Sequence, residues 1–108
     1  EIGLVPWQPS EKNKKHIPIK VFEYMACGIP LLVADLPSTT PYVAESGAGI
    51  TYDSRDAVAF AACVRQLLAD RAGRDAMARA GRDAVARRWN WGEMEKRLLA
   101  AYAKWETP

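Results

Sequence analysis

HIPIKVFEYMACGIPLLVAD, residues 16–35, reads as a loop, a short helix, a glycine stop and a buried strand. Pro18 has the fixed φ and missing N–H that suit the first position of a helix. Val21, Phe22, Tyr24, Met25 and Ala26 supply helix-compatible bulk. Gly28 can take the positive φ that ends a helix, and Pro30 forbids its continuation. Leu31, Leu32, Val33 and Ala34 then make a continuous apolar run, the pattern of a strand covered on both faces. Lys20 and Glu23 are three apart, so they share one helix face near its positive end. A lysine and a carboxylate there suit an anionic phosphate and a sugar hydroxyl. They also suit a surface ion pair on a core helix, and the two residues alone favour that plainer reading.

Outward from this stretch the chain alternates. Residues 2–5 read as a short strand closed by Pro6, and residues 7–15, WQPSEKNKK, as a polar loop. Downstream, LPSTTP is a loop, and Thr40 with Pro41 signals the cap and first turn of a brief helix reaching Glu45. Ser46-Gly47-Ala48-Gly49 breaks it, and Ile50-Thr51-Tyr52 is a further short strand. Asp53 or Ser54 is expected to cap a helix over residues 55–69, with Val58, Ala61, Ala62, Val64, Leu67 and Leu68 as its apolar face. Strand and helix in strict alternation predict an α/β layer built on a parallel sheet.

The tail is helical. Residues 73–80, GRDAMARA, are echoed by residues 81–88, GRDAVARR, a period too short for a solenoid. Its arginines invite a nucleic-acid reading, but Asp70–Arg74, Asp75–Arg79 and Asp83–Arg87 are all four apart and can be answered within the helix. No aromatic residues interleave for base stacking, so no nucleic-acid partner is expected. Asn90 caps the last helix, with Glu93 in capping-box register. Trp91, Met94, Leu98, Leu99, Tyr102 and Trp105 form an apolar stripe that must be covered, by the sheet or by a second domain. Its polar face mixes Glu93, Glu95 and Glu106 with Lys96, Arg97 and Lys104, which disfavours a membrane-surface helix.

At 108 residues, 49% hydrophobic and 26% charged, the chain has the makings of one small domain, and a net charge of +2 does not by itself imply a polyanionic partner. No stretch approaches a membrane span. Cys27 and Cys63 stand alone among apolar neighbours and read as small core residues of a cytosolic protein. With His16 the single histidine, no metal site is expected. Glu1 runs straight into an apolar strand without an initiator methionine, which points to a piece of a longer protein.

The run PIKVFEYMACGIPLLVAD, followed by SGAGITYDSRDAVAFAACVRQLLAD and a terminal RRWNW helix, resembles the C-terminal, nucleotide-sugar-binding domain of GT-B glycosyltransferases. The nearest group is the retaining family 4, also called glycosyltransferase group 1. Its fingerprint is a helix carrying a glutamate before a small-Gly-x-Pro turn, then an apolar strand ending near Asp. Here those are Glu23, Ala26-Cys27-Gly28-Ile29-Pro30, and residues 31–35. The resemblance covers nearly the whole chain and implies a partial Rossmann-like parallel sheet with flanking helices, although no GxGxxG is present. It implies that residues 1–108 are the later part of the donor-binding domain, lacking its first strands, and that the helix over residues 90–106 docks on an N-terminal domain.

The resemblance also implies roles. Glu23 matches the second glutamate of the family's pair, which accepts hydrogen bonds from the nucleotide ribose. The first, which approaches the donor sugar, falls at Lys15, where this chain departs. Backbone amides that approach the diphosphate fall around Ile17 and Ile19, with His16 just before them, and Pro18 removes one N–H. A Pro-x-Lys-x-x-Glu-Tyr-Met subgroup matches Pro18, Lys20, Glu23, Tyr24 and Met25, with the lysine supplying charge to the phosphates. The implied reaction moves a sugar from a UDP- or GDP-linked donor to an acceptor hydroxyl with retention, without a metal or other cofactor. The expected partners are that donor, a glycan or lipid-linked acceptor held by an N-terminal domain, and a second copy of the chain at an open sheet edge. The expected setting is cytoplasmic, at the inner face of the membrane, in polysaccharide synthesis; the fragment alone is expected to be inactive. Two other readings stay open. A GT-B-type nucleotide-sugar epimerase would call for acid–base carboxylates and histidines in the cleft. A non-catalytic nucleotide-binding or assembly module is favoured by Lys15.

Overall fold

The structure, a computed structural model, describes residues 1–16 and 18–106, with the side chains of residues 105 and 106 outside the description. Its elements in chain order are β1 (Gly3–Val5), α1 (Glu11–Lys15), α2 (Ile19–Ala26), β2 (Leu31–Ala34), α3 (Thr40–Ser46), β3 (Gly49–Tyr52), α4 (Ala57–Ala69), α5 (Arg71–Arg87) and α6 (Trp91–Glu106). The strands form one parallel sheet in the order β1-β2-β3, with Leu31 opposite both Gly3 and Gly49. Parallel neighbours need crossovers, and helices lie in both. This is the α/β architecture that the alternation predicts.

β2 lies in the middle and is buried throughout. Its side chains alternate between two cores. Leu31 and Val33 join Val5, Val21, Met25, Val43 and Ala48 beneath α2 and α3. Leu32 and Ala34 join Leu36, Tyr52 and Leu67 beneath α4. Burial pushes the Tyr52 phenol above its ordinary pKa, and its ring meets Phe60 edge-on at 5.0 Å. α5 covers α2 closely: a Cβ on buried Gly81 would stand 3.2 Å from the Met25 Cα.

The glycine stop works as its sequence suggests. Gly28 has φ +69, its N–H donates to the Met25 carbonyl at 3.0 Å, and the Ile29 N–H reaches back to Tyr24 at 2.9 Å. This pair of bonds is a Schellman closure. Pro18, however, is the N-cap of α2 rather than its first helical residue, with ψ 124 still extended.

Several local expectations are corrected. Within the expected polar loop, residues 11–15 form α1, because the Ser10 hydroxyl accepts from the Asn13 N–H at 3.0 Å and lysines fall in the favourable last turn. Thr39 caps α3, so Thr40 is already helical. Asp56, not Asp53 or Ser54, caps α4, accepting from the Ala59 N–H at 2.9 Å. The inward face of α4 runs through Phe60, Cys63, Val64 and Leu67, while Val58 and Leu68 are exposed; the aromatic contact with Tyr52 selects the stripe containing Phe60. Cys27 is exposed at the end of α2, and Cys63 alone of the two is partly covered. Of the three expected i, i+4 pairs, Asp83–Arg87 forms at 3.0 Å. Asp70 instead caps α5 through the Gly73 N–H, and Arg74 donates to the Leu67 and Leu68 carbonyls at the end of α4. Asp75 and Arg79 form no ion pair among the described residues.

Asn90 caps α6 as expected, accepting from the Glu93 N–H at 2.9 Å. α6 does not cover the sheet: Trp91, Leu98, Leu99 and Tyr102 are all exposed. Trp105 belongs to the same stripe by sequence, and its side chain lies outside the described residues. A radius of gyration of 15.8 Å exceeds the roughly 13 Å of a compact chain this long, as a projecting helix requires.

The turn after β2 hangs on one buried hydroxyl. Thr39 is fully buried; its Oγ1 donates to the Ala34 carbonyl at 2.6 Å and accepts from the Leu36 N–H at 3.3 Å. Thr39→Val preserves shape but strips a partner from both backbone groups. It is expected to destabilise the fold by ~1–3 kcal/mol in urea unfolding. An unchanged midpoint would mean that the hydroxyl is not what holds this turn.

Candidate functional site

In open α/β sheets, ligands bind outside the carboxyl ends of the strands. β1 ends there at Val5, and Pro6 and Trp7 continue past the sheet toward the N-terminal end of α2. Between them lies a cleft of about 360 Å³ lined by Val5, Pro6, Trp7, Pro18, Ile19 and Lys20. The N–H groups of Ile19 and Lys20 have no partner among the described residues, so α2 presents free donors at its positive end.

Lys20 lines this cleft, and Glu23 stands one helical turn further along, both exposed. Neither enters an ion pair or a side-chain hydrogen bond among the described residues. The surface ion pair that the spacing allows is therefore not formed. Ile19 is 72% exposed at the same helix end. Lys15 and His16 are exposed at the C-terminal end of α1 and do not line the cleft. The His16 N–H closes α1 on the Lys12 carbonyl at 3.0 Å. Ile17, expected to offer a backbone amide, lies outside the described residues. The structure thus brings Ile19 and Lys20 to one cleft, keeps Glu23 on the same helix, and leaves Lys15 and His16 on the preceding segment.

Two neighbouring depressions were not legible in the sequence. One, about 340 Å³, lies at the carboxyl ends of β2 and β3 and is lined by Lys14, Asp35, Asp53 and Arg55. Its charges are partly answered, with Asp35 accepting from the Thr40 hydroxyl and Asp53 standing 3.6 Å from Arg55. The other, about 690 Å³, is an apolar groove reaching from Ile19 and Phe22 to Trp91 and Met94. Phe22, Tyr42 and Trp89 form its floor as a mutually edge-on triad with centroids 5.2 to 5.6 Å apart. Those three come from α2, α3 and the end of α5, so no local pattern announces them.

Among the described residues, no three His, Cys, Asp or Glu side chains cluster as metal ligands. Among them too, no helix is long and apolar enough to cross a membrane.

The fold is shared with known proteins. In three dimensions the chain is similar to sucrose-phosphate synthase from Thermosynechococcus elongatus, with a TM-score of 0.69 at 26% identity, over 93% of this chain and 26% of that one. In sequence, the chain is 35% identical over 82 residues to a D-inositol 3-phosphate glycosyltransferase of Salinispora tropica, covering 76% of this chain. It is also 41% identical over 49 residues, 42% of this chain, to TuaH of Bacillus subtilis (strain 168), named as a teichuronic acid biosynthesis glycosyltransferase. The matches span only 17% and 12% of those two relatives. Residues 4–100, from β1 into α6, match the family described as glycosyl transferase-like. With that match running through the sheet, the cleft and α2 alike, the chain belongs to the glycosyl transferase-like family, on a GT-B type of α/β fold.

Proposed function

We propose that this chain is the donor-binding part of a retaining, family 4-like glycosyltransferase, and that it holds a UDP- or GDP-linked sugar across the N-terminal end of α2. The observation that carries the reading is Lys20 and Glu23 one turn apart, neither in an ion pair among the described residues, beside Ile19 and Lys20 N–H groups that have no partner among them either. The amides and the Lys20 ammonium face the diphosphate, and the Glu23 carboxylate accepts from the ribose hydroxyls. As the glycosidic bond breaks, negative charge grows on the leaving diphosphate. Fixed donors and a cation stabilise it there without reorganising, and that preference for the developing charge is what lowers the barrier. Lys15 has donors and no acceptor, so it cannot take a hydrogen bond from a sugar hydroxyl as a glutamate does. It stands on the segment before α2, outside the cleft lining, and contributes only long-range positive charge.

The acceptor, a glycan or lipid-linked hydroxyl compound, is held by a separate N-terminal domain on which the exposed stripe of α6 docks. Transfer is metal-independent, on the cytoplasmic side at the inner face of the membrane. A non-catalytic nucleotide-binding module is the second reading, favoured by Lys15 where the family carries a carboxylate.

Titration of the chain with UDP and then GDP, followed by two-dimensional amide NMR, tests the assignment. Saturating shifts clustered on residues 17–24 are expected, and the tighter curve names the donor class. A folded spectrum that neither nucleotide perturbs, or shifts centred elsewhere, would overturn it. Binding without sugar transfer by the complete protein would leave the module reading in its place.

A further inference from the structure

Residues 8–16 carry α1 with Lys12, Lys14, Lys15 and His16, and they lead directly into the N-terminal end of α2. The segment is held at both ends, by Trp7 packed against the two cores and by buried Pro18. Between those ends, one hydrogen bond among the described residues joins it to the rest of the chain: the Ser38 hydroxyl donates to the Asn13 backbone carbonyl, across 25 residues of sequence. The other hydrogen bonds of the segment are internal, such as the Asn13 side chain to the Gln8 carbonyl at 2.8 Å.

The setting of Ser38 suits a fixed anchor. It is 5% exposed, on the turn that the fully buried Thr39 ties to the end of β2. Asn13 is the one half-buried residue of α1. Pro9 and Lys14 also share a depression with Asp35 and Pro37, which independently brings the segment against this turn. Of the three lysines on α1, only Lys14 has an ion-pair partner among the described residues, Glu11 at 3.9 Å. A short helix with uncommitted positive charge is thereby held at the carboxyl edge of the sheet.

We propose that Ser38 is a positioning residue for the donor site: by latching Asn13 it holds α1, with Lys15 and His16, in register with the N-terminal end of α2. This rests on the donor reading above. Without the latch, the segment has two fixed ends and a free middle, and a nucleotide that uses it must order it on binding, which weakens affinity.

The test uses Ser38→Ala and Ser38→Thr, compared with the unaltered chain by ¹⁵N relaxation and by titration with UDP and GDP. Ser38→Ala is expected to loosen the amides of residues 8–16 while those of β2 and β3 keep their shifts, and to weaken the tighter nucleotide about fivefold. Ser38→Thr, which keeps a hydroxyl, is expected to restore both. A segment that stays as ordered in Ser38→Ala as in the parent overturns the latch. A loosened segment with unchanged affinity overturns the positioning role. If the parent chain binds neither nucleotide, the donor reading falls and the positioning role with it, while relaxation still judges the latch by itself.

Discussion

Glu23→Ala in the complete protein is expected to cut sugar transfer at least about tenfold while leaving the fold intact. A hydrogen bond to a charged group is worth ~1.5–3 kcal/mol, and each 1.4 kcal/mol is tenfold in rate, so about ten- to hundredfold is the range for losing one such contact. The stability side follows from the structure. Glu23 is exposed on α2 and has no ion pair or side-chain hydrogen bond among the described residues, so its truncation breaks no polar contact among them and disturbs no buried side chain. Alanine is also the better helix former, and the thermal midpoint should stay within what surface changes produce, about 0.5 kcal/mol. Glu23→Gln separates charge from shape, because the amide keeps one acceptor oxygen and loses the charge. It should fall between the parent and Glu23→Ala in kcat/KM. Parent-like kcat/KM for Glu23→Ala in a folded protein would mean that the ribose is held elsewhere and that the assignment built on this helix is wrong.

What the sequence discloses here divides along a physical line. The buried strand at residues 31–34 is readable because a strand covered on both faces needs four apolar residues in a row, and the glycine stop because only positive φ closes α2 as Gly28 does. Lys20 and Glu23 stand out because helical spacing fixes their common side. α1 is hidden, since five polar residues have no apolar period and their helix depends on the Ser10 cap. The inward stripe of α4 is misread for a related reason. Its two candidate stripes are similar in hydropathy, and the choice falls to the tertiary contact between Phe60 and Tyr52. Cys27 looks like core in sequence because its neighbours are small and apolar, yet it sits where the chain leaves α2, and the turn exposes it. The aromatic floor of the apolar groove and the Ser38–Asn13 latch join residues distant in sequence, and only the packed sheet brings them together.

Met25→Ala is expected to be the most destabilising of the substitutions considered, by ~2–5 kcal/mol. Met25 is fully buried on the inner side of α2, in the core with Leu31, Val33 and Val43. Its removal opens a cavity beneath the helix that carries Lys20 and Glu23. For a domain of this size each kcal/mol moves the midpoint by about 4–8 °C, so thermal unfolding should fall by roughly 10 °C or more. The opposite face of the same site sharpens the test. A Cβ at Gly81 would stand 3.2 Å from the Met25 Cα and 3.4 Å from its Cβ, and 3.3 Å from the Ala48 Cβ. Gly81→Ala therefore presses on atoms that alanine at position 25 still has. Touching residues ordinarily couple, but here the cavity and the crowding involve different atoms, so the double variant should lose close to the sum of the two single losses. Substantial rescue of Gly81→Ala by Met25→Ala would show instead that α2 sinks into the vacated space and relieves α5. In that event the position of α2 would be set by its packing beneath rather than by its caps, and, on the proposed donor reading, nucleotide affinity should fall together with stability.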